Sequence, residues 1–135
     1  MRLEVERRSP VEQPTEKQVR SAILKLRSYG PHSYASLTDE HGSYLQVAGG
    51  GVTCLLERHD ASTGKHFRAF HGKPSSVFAD GTALVFSGGA VRLRSDEWFS
   101  SAVVAEAFSA FTCGSPLPEG ISWRDVTESL DAKAR

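Results

Sequence analysis

The chain is poor in the features that announce a chemistry. Its two cysteines, Cys54 and Cys113, stand far apart and in no metal-type spacing, which argues against a zinc knuckle or ribbon built on paired thiols. No apolar run approaches the ~20 residues that span a bilayer, so no membrane helix is expected. Neither sign of charge prevails, because sixteen Lys and Arg offset sixteen Asp and Glu. A neutral chain lacks the positive field that draws phosphate backbones, and general nucleic-acid binding is disfavoured. The first residues, Met1-Arg2-Leu3-Glu4-Val5-Glu6-Arg7-Arg8, are charged and hold no apolar h-region. The expectation is a cytoplasmic protein with two free thiols.

What is present is ordinary globular usage, 39% hydrophobic and 24% charged residues. A chain of 135 residues suits one domain. It buries roughly two-thirds of its unfolded surface and needs neither metal nor disulfide to hold a core. Residues 1–14 carry charge and two prolines, Pro10 and Pro14, and read as a loose arm with at best an edge strand around Leu3 and Val5. Residues 15–130 read as the domain, and 131–135 as a polar, frayed tail.

Periodicity organises the rest. Thr15-Glu16-Lys17-Gln18 fits a capping box, in which the Thr15 hydroxyl accepts from the Gln18 amide and the Gln18 side chain reaches back. Val19, Ala22, Ile23 and Leu26 follow as one apolar stripe, and Gly30-Pro31 are expected to end the helix. Three hairpins come next. Tyr34–Asp39 and Ser43–Ala48 join through Glu40-His41-Gly42, a loop length that sets Leu37 opposite Leu45 and Ala35 opposite Val47 on one face. Val52–His59 and His66–His71 join around residues 60–65, with His59 opposite His66, Glu57 opposite Arg68 and Leu55 opposite Phe70. The third turns at Gly88-Gly89 and sets Phe86 opposite Val91 and Leu84 opposite Leu93. A helix capped by Ser95 or Asp96 then runs to about Thr112, with Trp98, Phe99, Ala102, Val103, Phe108 and Phe111 as its apolar set. Gly114 stops it, and Ser122–Thr127 reads as a last strand that Trp123 pins to the body. The fold class expected is α+β: an antiparallel sheet of about six to seven strands from consecutive hairpins, with an N-terminal helix and a helix of the C-terminal half packed on it.

Each chemical candidate has a plain structural rival. Gly49-Gly50-Gly51 precedes a strand rather than a helix, so it reads as a turn and not a phosphate cradle. His59 and His66 form a cross-strand pair able to hold a metal, but His71 falls on the opposite face and supplies no third ligand. Cys54 opposite His71 can be drawn as nucleophile and base, yet Cys54 sits in an apolar run and no third group orients the pair. Tyr34, Tyr44, Phe67, Phe70 and Phe78 lack the interleaved cations of a stacking RNA binder. No catalytic residue, cofactor or metal is assigned, and the protein is not expected to be an enzyme.

Two stretches carry a resemblance. Gly42-Ser43-Tyr44-Leu45-Gln46-Val47-Ala48-Gly49-Gly50, and the ending Ser115-Pro116-Leu117-Pro118-Glu119-Gly120-Ile121-Ser122-Trp123 after an amphipathic helix, resemble bacterial polymorphic-toxin immunity proteins of the small α+β type. The resemblance covers roughly Tyr34 to Thr127 and its motifs are structural. It implies a non-enzymatic cytoplasmic inhibitor that binds one cognate toxin domain, a nuclease or deaminase, and blocks its active site. With the neutral charge and the lack of long apolar runs, no nucleic-acid or membrane partner is expected, and the chain is expected to be a monomer or weak homodimer. The alternative is a small protein-binding or scaffold domain, homodimeric or not, with no toxin. Carboxylates suited to meet a basic substrate groove stand at the first two hairpin tips: Asp39 and Glu40 at one, Glu57 and Asp60 at the other. Tyr44 adds a rigid aromatic beside them.

Overall fold

The computed structural model describes residues 1–128. Among them the order is β1 (Arg2–Val5), β2 (Val11–Glu12), α1 (Glu16–Leu24), β3 (Tyr34–Thr38), β4 (Tyr44–Gly50), β5 (Thr53–Asp60), β6 (Lys65–Phe70), β7 (Thr82–Phe86), β8 (Gly89–Leu93), α2 (Ser101–Thr112) and β9 (Ser122–Asp125). The architecture is α+β. Seven strands form one antiparallel sheet in the order β2-β1-β3-β4-β5-β6-β9, and β7-β8 form a separate two-stranded ribbon. No helix among the described residues is long and apolar enough to cross a membrane.

Local chemistry explains the best-defined elements. The Thr15 capping box is formed in both directions, at 3.1 Å from the Gln18 amide and 2.8 Å to the Gln18 side chain. In the first hairpin, Leu37 faces Leu45 and Ala35 faces Val47, and Gly42 takes a φ of 90° at the turn. In the second, His59 faces His66 and Glu57 faces Arg68.

Alternation then divides the sheet into two faces. One carries Leu3, Ala35, Leu37, Leu45, Val47, Cys54, Leu56 and Ala69. These pack with Val19, Ile23, Leu26, Val104, Ala105 and Phe108 into the main core. The other face carries Ala48 and Leu55, and against these the β7-β8 ribbon lays Leu84 and Leu93, with Trp98, as a second core. Leu84 and Leu93 are therefore buried, but on the face away from the helices.

Several expectations need correction. The N-terminal residues are not a loose arm: β1 lies inside the sheet between β2 and β3, and Leu3 is buried in the main core. Helix α1 stops at Leu24 with Lys25 as its cap, well before Gly30, and Leu26 reaches the core from the following turn. The third hairpin is shifted by two residues, with Leu84 opposite Val91 and Phe86 opposite Gly89. A two-residue shift keeps every side chain on its face, so burial cannot tell the two registers apart. Helix α2 starts at Ser100, whose hydroxyl accepts from the Val103 amide, and not at Ser95 or Asp96. Trp98 and Phe99 are extended instead, sending one ring to each core. Rotation of the shorter helix buries Val104 and leaves Val103 exposed. The last strand ends at Asp125, and Trp123 is half-buried against the main core. The expected frayed tail, 131–135, and the final residues of the expected domain lie outside the described residues.

Candidate functional site

The first two hairpin tips lie side by side. The amide of Ala61 donates to the Ser43 hydroxyl at 2.9 Å, which ties the second turn to the first. At this end of the sheet a cleft of about 520 Å³ is walled by Asp39, Glu40, His41, Tyr44, Arg58, His59 and Asp60 on one side and by Phe111 and residues 114–117 on the other. Four of the five residues expected to meet a partner thus share one cleft: Asp39, Glu40, Tyr44 and Asp60.

Their availability differs. Asp39 Oδ1 accepts from the amides of His41 and Ser43, at 2.8 and 3.1 Å, so this carboxylate also shapes its own turn. Asp60 Oδ1 accepts from the Ser62 hydroxyl and amide, at 2.7 and 3.0 Å, and these bonds hold its carboxyl below the usual range. Glu40 is the most open of the group and, among the described residues, reaches only the His41 ring, at 3.6 Å.

Glu57 does not belong to the cleft. It is buried beneath the open sheet face, where Oε2 accepts from Arg68 Nε at 2.9 Å and Oε1 from the Gln46 amide at 3.1 Å. Arg68 in turn approaches Glu97 at 3.7 Å. Arg124 then bonds Glu97 at 2.6 Å and Asp96 at 3.6 Å. Five charges of alternating sign run across three elements, and Glu57 is the end of that chain rather than a free contact. Its placement in a surface cluster is therefore corrected: buried ion pairs of this kind satisfy one another and offer little to a partner.

Glu57 does line a second, wider groove of about 720 Å³ on the open sheet face, between residues 4–10, Tyr34, Gln46 and the β7-β8 ribbon at Phe86 and Val91. Across it, Glu6 accepts from the Ser33 amide and hydroxyl, each at 2.8 Å, and from the Ser87 hydroxyl, clasping β1 to the ribbon.

Tyr44 stacks into an aromatic row on that same face, 5.1 Å from the His59 ring, while His59 lies 4.2 Å from His66. Burial and the nearby Glu57 raise the Tyr44 hydroxyl above its ordinary value. The two imidazoles are stacked at 29°. Ring nitrogens bind metals in the ring plane at about 2.0–2.1 Å, so two nearly parallel rings at this spacing do not converge on one ion. Among the described residues no group of three His, Cys, Asp or Glu is placed to hold a metal.

The drawn Cys54–His71 pair is not formed. Cys54 exchanges both backbone hydrogen bonds with Phe99, at 2.9 Å each, and its thiol is buried and pushed up to about 12. His71 Nε2 lies 3.1 Å from the Trp98 carbonyl. The aromatic set weighed for RNA stacking is likewise occupied: Phe78 stacks on Trp98, and Phe67 and Phe70 each carry an arginine.

Arg58 is the site residue that sequence reading missed. Its guanidinium lies over the Phe67 ring at 4.8 Å and the Trp123 ring at 4.9 Å, in the wall of the tip cleft. The signal was present in the register, which places Arg58 opposite Phe67.

Comparison of the chain with family models, with curated proteins and with solved structures finds no match.

Proposed function

We propose that the chain is an immunity-type protein. It binds a cognate bacterial toxin domain, a nuclease or deaminase, in the cytoplasm and blocks that domain's active site. One observation supports the reading above others: the Ala61–Ser43 bond sets the two hairpin tips together, so that Asp39, Glu40 and Asp60 wall a single cleft beside Tyr44. Clustered carboxylates on a rigid edge suit a basic substrate groove, because charge complementarity steers docking and fixes its orientation. A rigid aromatic next to them supplies contact area at small entropic cost.

The test is coexpression with any toxin domain that a neighbouring gene is found to encode. Glu40→Lys combined with Asp60→Lys is expected to weaken protection while the fold stays intact. Asp60→Asn, which keeps an Oδ1 acceptor for Ser62 and removes only the charge, separates the turn contribution of Asp60 from its charge. Full protection by the double lysine variant at normal expression would sink this placement of the interface.

A further inference from the structure

We infer that the tip cleft contains a carboxylate-binding site built on Arg58, and that the protein partner docks there through an Asp, a Glu or a chain terminus. This deepens the proposed function, since it names a chemical group the partner must bring to the same cleft.

Arg58 is held in an unusual state for a partly buried arginine. Phe67 and Trp123 clamp its guanidinium at 4.8 and 4.9 Å, and Nε is shut off from solvent without a hydrogen-bond partner among the described residues. The carboxylates that share the cleft are engaged elsewhere. Asp39 serves the amides of His41 and Ser43, Asp60 serves Ser62 and feels the Arg58 charge only from a distance, and Glu40 reaches His41; none of the three is ion-paired with Arg58. The arginines of the opposite sheet face, Arg68 and Arg124, each have a carboxylate within 3 Å. Arg58 thus stands in the cleft wall with its Nε shut off from solvent and, among the described residues, without the ion-paired carboxylate that Arg68 and Arg124 have.

A guanidinium offers a planar fork that matches a carboxylate in two parallel bonds. The aromatic clamp holds the fork in one plane, so little side-chain freedom remains to be lost on binding. The acidic rim sets the selectivity. Asp39, Glu40 and Asp60 repel a free anion of high charge, whereas a single carboxylate with a cationic neighbour satisfies both Arg58 and the rim.

The experiment needs no toxin, so its failure and the failure of the immunity reading are distinguishable. The full chain, labelled with nitrogen-15 at arginine, is titrated at low ionic strength with acetyl-aspartate amide as a side-chain carboxylate and with acetyl-glycine as a chain-end carboxylate. Acetamide is the neutral control. The Arg58 Nε–H resonance is identified by its loss in Arg58→Gln. A saturable shift of that resonance with either carboxylate, absent with acetamide, is the expected result, and the tighter of the two probes identifies the source. Binding followed through neighbouring amides should vanish in Arg58→Gln and weaken roughly tenfold in Arg58→Lys, where a point charge replaces the fork. Both variants are checked for an unchanged amide spectrum elsewhere. No saturable shift with either carboxylate, or an equal shift with acetamide, would overturn the proposal.

Discussion

Gly50 lies against the main chain of Leu26: a Cβ built on Gly50 would sit 2.1 Å from the Leu26 carbonyl oxygen. The contact holds the end of β4 against the turn that follows α1, backbone to backbone, where no side chain can swing away. Gly50→Ala should therefore destabilise the fold by about 1–3 kcal/mol, the cost of overpacking a tight site. Gly120→Ala, which meets nothing within 4 Å, should stay within about 0.5 kcal/mol of the parent. Urea unfolding of the two variants checks this, and equal midpoints would show that the 26–50 contact is loose.

Glu6 makes the ribbon's attachment sensitive to acid. Hydrogen bonds from Ser87 and then Ser33 hold its carboxyl below the ordinary 4.5. A depressed folded value means that the ionised form stabilises the native state. That contribution is complete above 4.5 and fades as the pH falls through the lower folded value. Glu6→Gln should lower stability at neutral pH and flatten the acid limb of the stability curve. Amide exchange across residues 82–93 should quicken in the variant, and an unaltered acid limb would exclude Glu6 as its source.

The alternating chain of charges sets an order among substitutions. Arg68→Ala leaves Glu57 buried with only the Gln46 amide, and should cost about 3 kcal/mol. Glu57→Gln should cost less, because Arg68 keeps Glu97 at 3.7 Å. The reverse order in thermal unfolding would mean that Glu97 does not share Arg68. Any loss of partner binding by Glu57 variants should track their loss of stability.

Thiol chemistry distinguishes the two cysteines. Cys54 is buried with its thiol pushed up to about 12, whereas Cys113 is exposed. A disulfide reagent such as dithiobis-nitrobenzoate at pH 8 should titrate one thiol in the native protein and two after denaturation, since the thiolate is the reactive form. Rapid native reaction of both thiols would contradict the packing of Cys54 against the segment at Phe99.

How far the sequence could be read depended on how local each signal is. The Thr15 capping box and the Gly42 turn involve residues within four positions of one another, and both form as expected. The β7-β8 register involves two choices that bury the same residues, and only the turn at residues 87–88 separates them. Three serviceable caps, Ser95, Asp96 and Ser100, precede α2. The choice among them is made at long range, by the pairing of Phe99 with Cys54. Leu3 looked isolated among charges because its partners in the core, such as Leu37, lie more than thirty positions away. At the site, Asp39, Glu40 and Asp60 were legible as tip residues, and their meeting followed from adjacent hairpins. Glu57 was misplaced although the register had put Arg68 across from it, a pair that on a sheet face covered further along becomes buried. Arg58 was overlooked because the aromatic opposite it on β6 accounts for only half of its clamp; the other half, Trp123, arrives from β9.

The order β2-β1-β3-β4-β5-β6-β9 also bears on how the protein is made. Every pairing but two joins strands that are neighbours in the chain; β1–β3 encloses β2 and α1, and β6–β9 encloses the ribbon and α2. A chain leaving the ribosome can therefore assemble six strands before the ribbon emerges, through short hairpin loops at every step except the β1–β3 closure, which must span β2 and α1. The seventh must wait for the ribbon and α2 to be synthesised before Phe67 meets Asp125. Until then β6 is an open edge and the Arg58 clamp is half built, so the cleft at the hairpin tips is completed only near the end of translation.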